Sequence, residues 1–478
     1  MSLSSDRPVL DEIDLGSLEI ARSGARPKPL RRDLFTRPDL RLRVDRLIAL
    51  IDELVTEQVN AVIHHPRFQA LEASWQSLRR LVGTTRANPR IKIRVLDLRW
   101  RELCRDLERA IEFDRSHLFR KIYEGEFGTP GGEPFGLLIG DYHIAHRPGQ
   151  GRPTDDIAAV REMSRIAAAA FAPFILGVTP ELFGLDSLAE LCLPLDLPAV
   201  FRLPEYQRWR GFQETEDSRF VGLVLPRVLA RQRYRDDDTR NDGFRFEERC
   251  GTHEEVLWGS GAYAFASVIM QAFAESGWFT QIRGGVLGIE QGGLVPDLET
   301  PSFETDRKDV ATIFPGEVMI EDRQENELGE LGFIPMVRAN GTSLGVFCGN
   351  ASAQHPRSYD RLAGTVNARL SSMLQYVLCV CRFAHYVKVI GRETVGSVKS
   401  PAEIEDRLQS WISGYVSSSD HAQLATLARY PLQEARVEVK EFPGKPGAYY
   451  CTAYLKPHFQ MERVETSFRL VTDLAPAV

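Results

Sequence analysis

The hydrophobic pattern of the chain changes period at Pro431, and this change constrains the fold of the C-terminal quarter. Before that proline, apolar residues recur at helical spacing from 367 to 390, which predicts one long helix. After it, apolar and charged residues alternate over 434–441, and strand-like runs follow at 449–455 and 464–471. Because a turn rich in proline and glycine separates the first two runs, we predict a three-stranded antiparallel meander at the end of the chain.

The middle of the chain mixes helical and strand periods. Apolar runs at 137–139, 173–176 and 220–224 are typical of strands, and a helical pattern lies between two of them at 156–170. A shorter alternation at 91–95 also predicts a strand. Together with the C-terminal helix and meander, these patterns predict an α+β (mixed α/β) fold.

The N-terminal region predicts two helices preceded by an arm. Apolar residues at helical spacing predict an amphipathic helix from Leu40 to Ile63 and a second helix from Phe68 to Leu81. Prolines in the preceding basic segment disfavour helix, so an extended arm is expected there, either solvated or docked on a neighbouring subunit. We therefore divide the chain into an arm, a helical segment, a mixed α/β body and a C-terminal helical and sheet region: 1–39, 40–85, 86–360 and 361–478.

One uncharged stretch, from Val256 to Ala274, is nineteen residues long and approaches the length of a membrane span. Glycine, serine and glutamine interrupt it, and glutamates rather than basic residues flank it. We therefore predict a buried core helix over 261–276, stopped by Gly277. The N-terminus is acidic and lacks an apolar signal region, which predicts a cytoplasmic protein without direct membrane insertion.

Composition narrows the class of protein. The 478 residues carry 59 Lys and Arg against 66 Asp and Glu, giving a net charge of −7, with 43% hydrophobic residues. These values are typical of a large soluble globular protein, and the mild acidity argues against a surface built for nucleic acid. Seven cysteines scattered through so long a chain predict free thiols rather than a disulfide framework.

Several residue groups could be mistaken for metal sites. Cys379 and Cys381 are two positions apart on one predicted helix, about 200° of rotation, so their thiols cannot face a single ion. Cys381 and His385 could share a face, but two ligands do not make a site. Cys250 and His253 are similarly isolated. We therefore predict no metal ligands.

Other groups fail as catalytic or phosphate-binding motifs. The glycine-rich segment 283–293 lacks the spacing of a dinucleotide or phosphate loop, and Ser260 lies outside a nucleophile elbow. His64 and His65 precede a proline at a helix end, where capping and packing explain them better than ligation. A carboxylate pair of Asp141 and Glu133 for acid–base chemistry stays open on spacing alone. Taken alone, these patterns identify no catalytic residue and no cofactor-binding residue.

Seven collinear segments, from residue 64 to residue 450, resemble the TssC (VipB) family, the large subunits of the type VI secretion contractile sheath. The resemblance runs from about residue 45 to the C-terminus. The segments are HHPRFQALEASWQSL (64–78), LFRKIYEGEFGTPGGEPFGLLIGDY (118–142), FAPFILGVTPELFGL (171–185), FETDRKDVA (303–311), ELGFIPMV (330–337), NARLSSMLQYVLCVCRFAHYVKVI (367–390) and YPLQEARVEVKEFPGKPGAYY (430–450).

This resemblance implies a structural protein rather than an enzyme, without cofactors. Family members pair obligately with the smaller subunit TssB, and the heterodimers polymerise with further copies into a helical sheath around the Hcp inner tube. The sheath assembles on a baseplate and contracts to drive tube and spike outward. The unfoldase ClpV usually recycles the contracted form.

The resemblance also implies that strands of neighbouring subunits complete the C-terminal sheet, as in β-augmentation. We expect residues 22–34 to be the donated arm and the three predicted C-terminal strands to be the acceptor. The arm residues are Arg22, Arg26, Leu30, Arg31, Arg32 and Leu34, and the acceptor residues are Arg436, Val437, Glu438, Val439, Tyr450, Thr452, Tyr454 and Phe468.

Two departures from the family pattern and two alternative functions stay open. The short N-terminal helix that ClpV recognises has only a weak counterpart at 9–14, where Leu10 and Ile13 are the candidate contacts, and the glycine segment at 283–293 is longer than usual. One alternative is a non-contractile, sheath-like baseplate or phage-tail paralogue. The other is an enzyme with a dispersed active site.

Overall fold

The computed structural model describes residues 38–85, 88, 90–127, 129, 131–149, 152–236, 244, 246–285, 292–301, 313–395, 400–417, 424–441, 449–458 and 468–473. The arm expected at 22–34 and the candidate unfoldase contacts Leu10 and Ile13 lie outside these residues. The chain divides into two units. The first contains the chain up to Ile63 together with 234–249, and the second contains 64–233 and 250–478.

The first unit contains helix α1, Pro38–Ile63, which confirms the helix predicted from Leu40. Pro38 begins it, at a position where the missing backbone N–H would have no helical partner. Within this unit the Arg249 guanidinium forms an ion pair with Glu53, with 2.7 Å between Nη1 and Oε1. The hydrogen bond and charge of Arg249 lower the pKa of the Glu53 carboxyl.

The second unit contains the remaining described helices and all the described strands. A π-helix at Arg120–Glu124 joins the fourth and fifth helices. The helices are α2 Pro66–Thr85, α3 Trp100–Arg109, α4 His117–Phe119, α5 Gly125–Phe127, α6 Asp156–Ala170, α7 Leu197–Arg202, α8 Gln207–Gln213, α9 Gly261–Ser276, α10 Asp322–Glu330, α11 Leu362–Ser371, α12 Leu374–Val395, α13 Pro401–Ser413 and α14 Leu424–Arg429.

Ten strands form three sheets among the described residues. The central sheet has the order β1-β2-β3-β6-β7, the C-terminal sheet the order β10-β9-β8, and β4 pairs with β5. The strands are β1 Leu138–Ile144, β2 Phe174–Val178, β3 Val221–Leu225, β4 Val228–Leu229, β5 Trp258–Gly259, β6 Ile334–Arg338, β7 Gly345–Phe347, β8 Leu432–Glu441, β9 Tyr449–Pro457 and β10 Phe468–Asp473.

The central sheet is buried on both faces. β1, β2, β3 and β6 run parallel and β7 is antiparallel, so the continuous apolar runs of the sequence match the burial of a parallel sheet. Leu176 and Leu223 belong to the core that contains α6, whereas Ile175 belongs to the core that contains α9. Parallel strands covered by helices, followed by an antiparallel meander, confirm the α+β prediction.

Close packing against this sheet requires a glycine in β3. A Cβ placed on Gly222 would lie 2.7 Å from the Cδ1 atoms of Ile175 and Leu374 and 3.2 Å from that of Ile334. Because a real Cβ does not approach a methyl group so closely, any side chain here would force the N-terminal end of α12 away from the sheet.

The uncharged stretch forms a core helix, as predicted. α9 begins after Ser260, whose hydroxyl accepts from the Ala262 N–H, and ends at Gly277, which has φ 80°. Phe265 and Ile269 are almost fully buried in the core beneath the sheet. Across the described residues, none of the helices combines the length and apolar composition needed to cross a membrane.

The strand predicted at 91–95 was wrong, because residues 91–99 form neither strand nor helix. Side-chain ion pairs hold this segment in place of a backbone ladder: Lys92 pairs with Glu133, and Arg94 with Glu126. Among the described residues no strand pairs with this segment, so the alternation of apolar and charged residues produced no strand.

The single long helix predicted over 367–390 was also wrong, because α11 and α12 are separated at Ser372 and Met373. The backbone of this break pairs with an upstream segment. The Ser352 N–H donates to the Ser372 carbonyl, and the Leu374 N–H donates to the Asn350 carbonyl, both at 2.9 Å. These contacts replace the helical hydrogen bonds at the break.

α12 links two of the hydrophobic cores of the second unit, one beneath the central sheet and one at the C-terminal sheet. At its N-terminal end, Leu374 and Leu378 pack in the core beneath the central sheet. Further along, Phe383 and Val387 pack in a separate core with the C-terminal sheet and α13. One helix of 22 residues therefore contributes to both cores.

Candidate inter-subunit sheet

The structure brings the predicted acceptor residues into one antiparallel sheet. Arg436, Val437, Glu438 and Val439 lie on β8, and Tyr450, Thr452 and Tyr454 lie on β9. Arg436 pairs with Tyr454, Glu438 with Thr452, and Phe468 of β10 with Leu455. The third strand begins at Phe468, whereas residues 464–467 of its predicted range lie outside the described part of the chain.

One face of the sheet is apolar and the other is charged. Val437 and Val439 are buried with Leu408 of α13. On the opposite face, Glu438 contacts both Arg436 (3.1 Å) and Lys440 (3.5 Å). On this face Arg436 and Lys440 of β8 are exposed, whereas Thr452 of β9 is buried, so the charged face is accessible along β8.

Side chains of α13 occupy the outer edge of β8. The Val437 N–H donates to Gln409 Oε1 at 2.9 Å, and Gln409 Nε2 donates to the Ala435 carbonyl at 3.2 Å. The Val439 N–H donates to Glu405 Oε2 at 2.8 Å. These hydrogen bonds replace those that a neighbouring strand would make along this edge.

The chain after α13 occupies the start of the same edge. The Ser417 N–H donates to the Leu432 carbonyl at 2.9 Å, and the Leu432 N–H donates to the Tyr415 carbonyl at 3.2 Å. Val416 and Leu432 form a parallel bridge. Residues 405–417 therefore follow β8 from Leu432 to Val439.

The outer edge of β10 differs from that of β8. In an antiparallel sheet, residues alternate between pointing their backbone groups at one neighbour and at the other. The backbone N–H groups of Val437 and Val439 point outward from β8. The register therefore places the backbone groups of Phe468, Leu470 and Thr472 toward β9. The backbone groups of residues 469, 471 and 473 then point outward, and no strand among the described residues pairs with that side.

A second exposed surface lies on α1. Val44, Leu47, Ile51 and Leu54 recur at spacings of three and four residues, as in the seam of a coiled coil. Their side chains are between 42% and 57% exposed. Ile48, Val55 and Val62 are also exposed, so this helix presents a broad apolar face.

Two family models match the chain over most of its length. The EvpB/VC_A0108 tail sheath N-terminal domain matches residues 45–354, and the EvpB/VC_A0108 tail sheath gpW/gp25-like domain matches residues 363–474. This chain belongs to the TssC (VipB) sheath family. One relative is the type VI secretion system sheath protein TssC1 of Pseudomonas aeruginosa, which is 40% identical over 439 residues, covering 91% of this chain and 86% of the relative.

The two features described above fall in different family domains, and the C-terminal sheet lies in the second. Its match begins next to the start of α11 and ends after β10. It therefore includes α13 and the whole C-terminal sheet, while the α1 surface falls largely within the first domain.

The cysteine and histidine groups of this TssC family member have structural partners. His385 Nε2 lies 3.0 Å from the Ala170 carbonyl, and burial lowers the pKa of this imidazole to about 4. Burial raises the pKa of the Cys379 thiol to about 12 and also raises that of Cys381. A neutral histidine that is hydrogen-bonded to a backbone carbonyl is typical of a packed core. Buried thiols that stay protonated are typical of one as well.

The second cysteine–histidine group is divided between different neighbours. Cys250 Sγ lies 3.9 Å from His64 Nε2, whereas His253 Nε2 lies 3.8 Å from Glu317 Oε1. His65 Nδ1 accepts from the Arg67 N–H at the start of α2, in agreement with the predicted capping role.

The two carboxylates considered for acid–base chemistry, Asp141 and Glu133, each take part in a separate local interaction. Asp141 accepts a hydrogen bond from Ser74, and burial raises the pKa of its carboxyl. Glu133 pairs with Lys92, which lowers the pKa of the Glu133 carboxyl. Each group therefore has its own structural partner.

The sequence did not single out Glu405 and Gln409, whose side chains bind the outer edge of β8. They lie four positions apart on one face of α13, a spacing shared by many polar pairs on exposed helices. A glutamine placed one helical turn after an acidic residue is the only signal in the sequence, and it is too common to predict a role.

Proposed function

We propose that this chain is a subunit of a type VI secretion contractile sheath. In this proposal it pairs with a TssB-like small subunit and polymerises with further copies around an Hcp inner tube on the baseplate. Contraction of that polymer propels the tube and spike out of the cell. The observation that carries the proposal is the outer edge of β10, which lies at the margin of a charged sheet in a chain of this family.

The proposed link between subunits is a strand added to that edge. Backbone hydrogen bonds would hold neighbouring subunits together while their globular parts repack during contraction. The donated strand would come from residues 22–34 of a second copy, within an arm of residues 1–39. A contact between two different surfaces that does not close on itself produces a helical polymer.

The apolar face of α1 supports pairing with the small subunit. Exposed Leu47, Ile51 and Leu54 at coiled-coil spacing fit an amphipathic partner helix better than water. In this arrangement residues 40–85 form the pairing segment, 86–360 the body and 361–478 the linking region. The assembly would form in the bacterial cytoplasm, without enzymatic activity, and recycling by ClpV would use residues 9–14.

Coexpression with a TssB-like partner tests this function. We expect purified complexes to form hollow ribbed tubes in negative-stain electron microscopy. If the tubes contract, two forms should be seen: long tubes, and tubes that are shorter and wider. Tubes of a single fixed length and diameter would instead support the non-contractile baseplate or phage-tail alternative. A chain that stays monomeric with its partner would contradict the proposal.

A further inference from the structure

The polar groups of Gln409 reproduce the pattern of a peptide unit beside β8. Its carbonyl oxygen accepts from the Val437 N–H, and its NH₂ donates to the Ala435 carbonyl. A neighbouring strand would present an acceptor and a donor at the same two positions. Gln409 therefore occupies the place of one residue of an added strand.

Glu405 takes the place of an added strand at the next outward-facing residue of β8. Its carboxylate accepts from the Val439 N–H, two residues beyond Val437, so each outward N–H from 437 to 439 has an acceptor on α13. The Leu432 end of the edge is occupied by the backbone of Tyr415 and Ser417. A strand arriving at β8 would have to displace three side-chain hydrogen bonds and two backbone ones.

We propose that Glu405 and Gln409 act as a substitute strand that closes the β8 edge, so that the C-terminal sheet accepts a strand from another copy of this chain only at β10. This role presupposes the sheath assembly proposed above. An open edge at both sides would let the sheet grow in two directions, which is how exposed strands cause aggregation. Closing one side makes the linkage between subunits directional.

The double variant Glu405→Ala/Gln409→Ala tests the proposal in the complex with the small subunit. A matched control is Asp406→Ala/Ser410→Ala, which removes an acidic and a polar side chain at the same spacing from exposed positions of α13. We expect the double variant to associate at β8, with sedimenting mass increasing about twofold as concentration rises. We expect the control to behave like the unmodified complex.

Hydrogen exchange at Val437 and Val439 separates edge opening from unfolding. In the double variant these amides should exchange fast at low concentration and become protected again at high concentration, when another strand covers them. Glu405→Gln should restore the unmodified behaviour, because its amide oxygen still accepts from the Val439 N–H. Glu405→Ala alone, which leaves both Gln409 bonds in place, keeps the test informative if the double variant fails to fold.

Two results would overturn the proposal. The first applies when the unmodified complex forms tubes: the double variant, or a folded Glu405→Ala variant, then has the same sedimenting mass and forms the same tubes. The other is fast exchange at Val437 and Val439 that does not depend on concentration. Failure of the unmodified complex to form tubes would instead count against the proposed sheath function, so the two failures are distinguishable.

Discussion

His143, which is partly exposed, and His385, which is buried, should make the folded chain sensitive to acid. Burial, together with Arg227 and Arg152, lowers the pKa of His143 to about 4, and burial lowers that of His385 to about 4. Both pKa values lie below the ordinary 6.5, so the unfolded chain binds these protons first. Their stabilisation is therefore complete above pH 6.5 and is lost as the pH falls toward 4, by up to about 3 kcal/mol per histidine.

Denaturant unfolding at several pH values between 7.5 and 4.5 measures this effect. His385→Gln should flatten the decline of the unfolding free energy with falling pH, because one of the two histidines no longer takes up a proton on unfolding. His117→Gln, at an exposed position, should leave the slope as it is. If the unfolding free energy falls with pH equally steeply in His385→Gln and in the unmodified chain, the lowered pKa of His385 is contradicted.

An aromatic box around Lys388 joins α12 to the π-helix region. Its Nζ lies 5.3, 5.1 and 4.9 Å from the ring centroids of Tyr123, Phe127 and Phe171. Lys388→Met keeps much of the aliphatic stem but loses the cation, so we expect a loss of about 1–2 kcal/mol in unfolding free energy. Thermal and denaturant unfolding would measure it, with Lys440→Met on the charged face of β8 as a control of little effect.

At the scale of elements, the outward backbone groups of β10 lead to a prediction about the subunit linkage. Val471→Pro removes an N–H that points away from β9, so the sheet itself should form while a donated strand loses a hydrogen bond. We expect pairing with the small subunit to persist and tube formation to be lost, as judged by copurification and electron microscopy. Val471→Thr retains the N–H and should form tubes; normal tubes from Val471→Pro would exclude this edge.

Elements with their own start and stop signals could be predicted from the sequence. The end of α9 was predicted because Gly277 stops the helix in a left-handed conformation, and the structure shows that Ser260 caps its start. The strands β2 and β3 appeared as apolar runs because both faces of a parallel sheet are buried.

Elements that depend on distant partners could not be predicted in this way. The break between α11 and α12 is caused by hydrogen bonds to Asn350 and Ser352, about twenty residues upstream. Gln409 contacts β8 26 and 28 residues further along the chain. The strands of the candidate site were therefore predictable, but the closure of one of their edges was not.

At the scale of the whole molecule, the apolar face of α1 should determine pairing with the small subunit. Leu47→Asp/Ile51→Asp places two carboxylates in the exposed stripe, and we expect copurification with the small subunit to be lost. Thermal unfolding of the second unit should not change, because these residues belong to the first. Arg46→Asp makes the same change in net charge outside the stripe and should still pair; retained pairing by the double variant would place the small subunit elsewhere.

α12 also determines how a mechanical load would travel through the second unit. A helix of 22 residues is about 33 Å long, and its N-terminal end and its middle are packed into different cores. Tension applied at the C-terminal sheet would reach the central sheet along this helix, from Phe383 and Val387 in its middle to Leu374, seated against Gly222, at its N-terminal end. The helix would then serve as a strut, and its stiffness would set how much of a pull on one subunit becomes movement of its body.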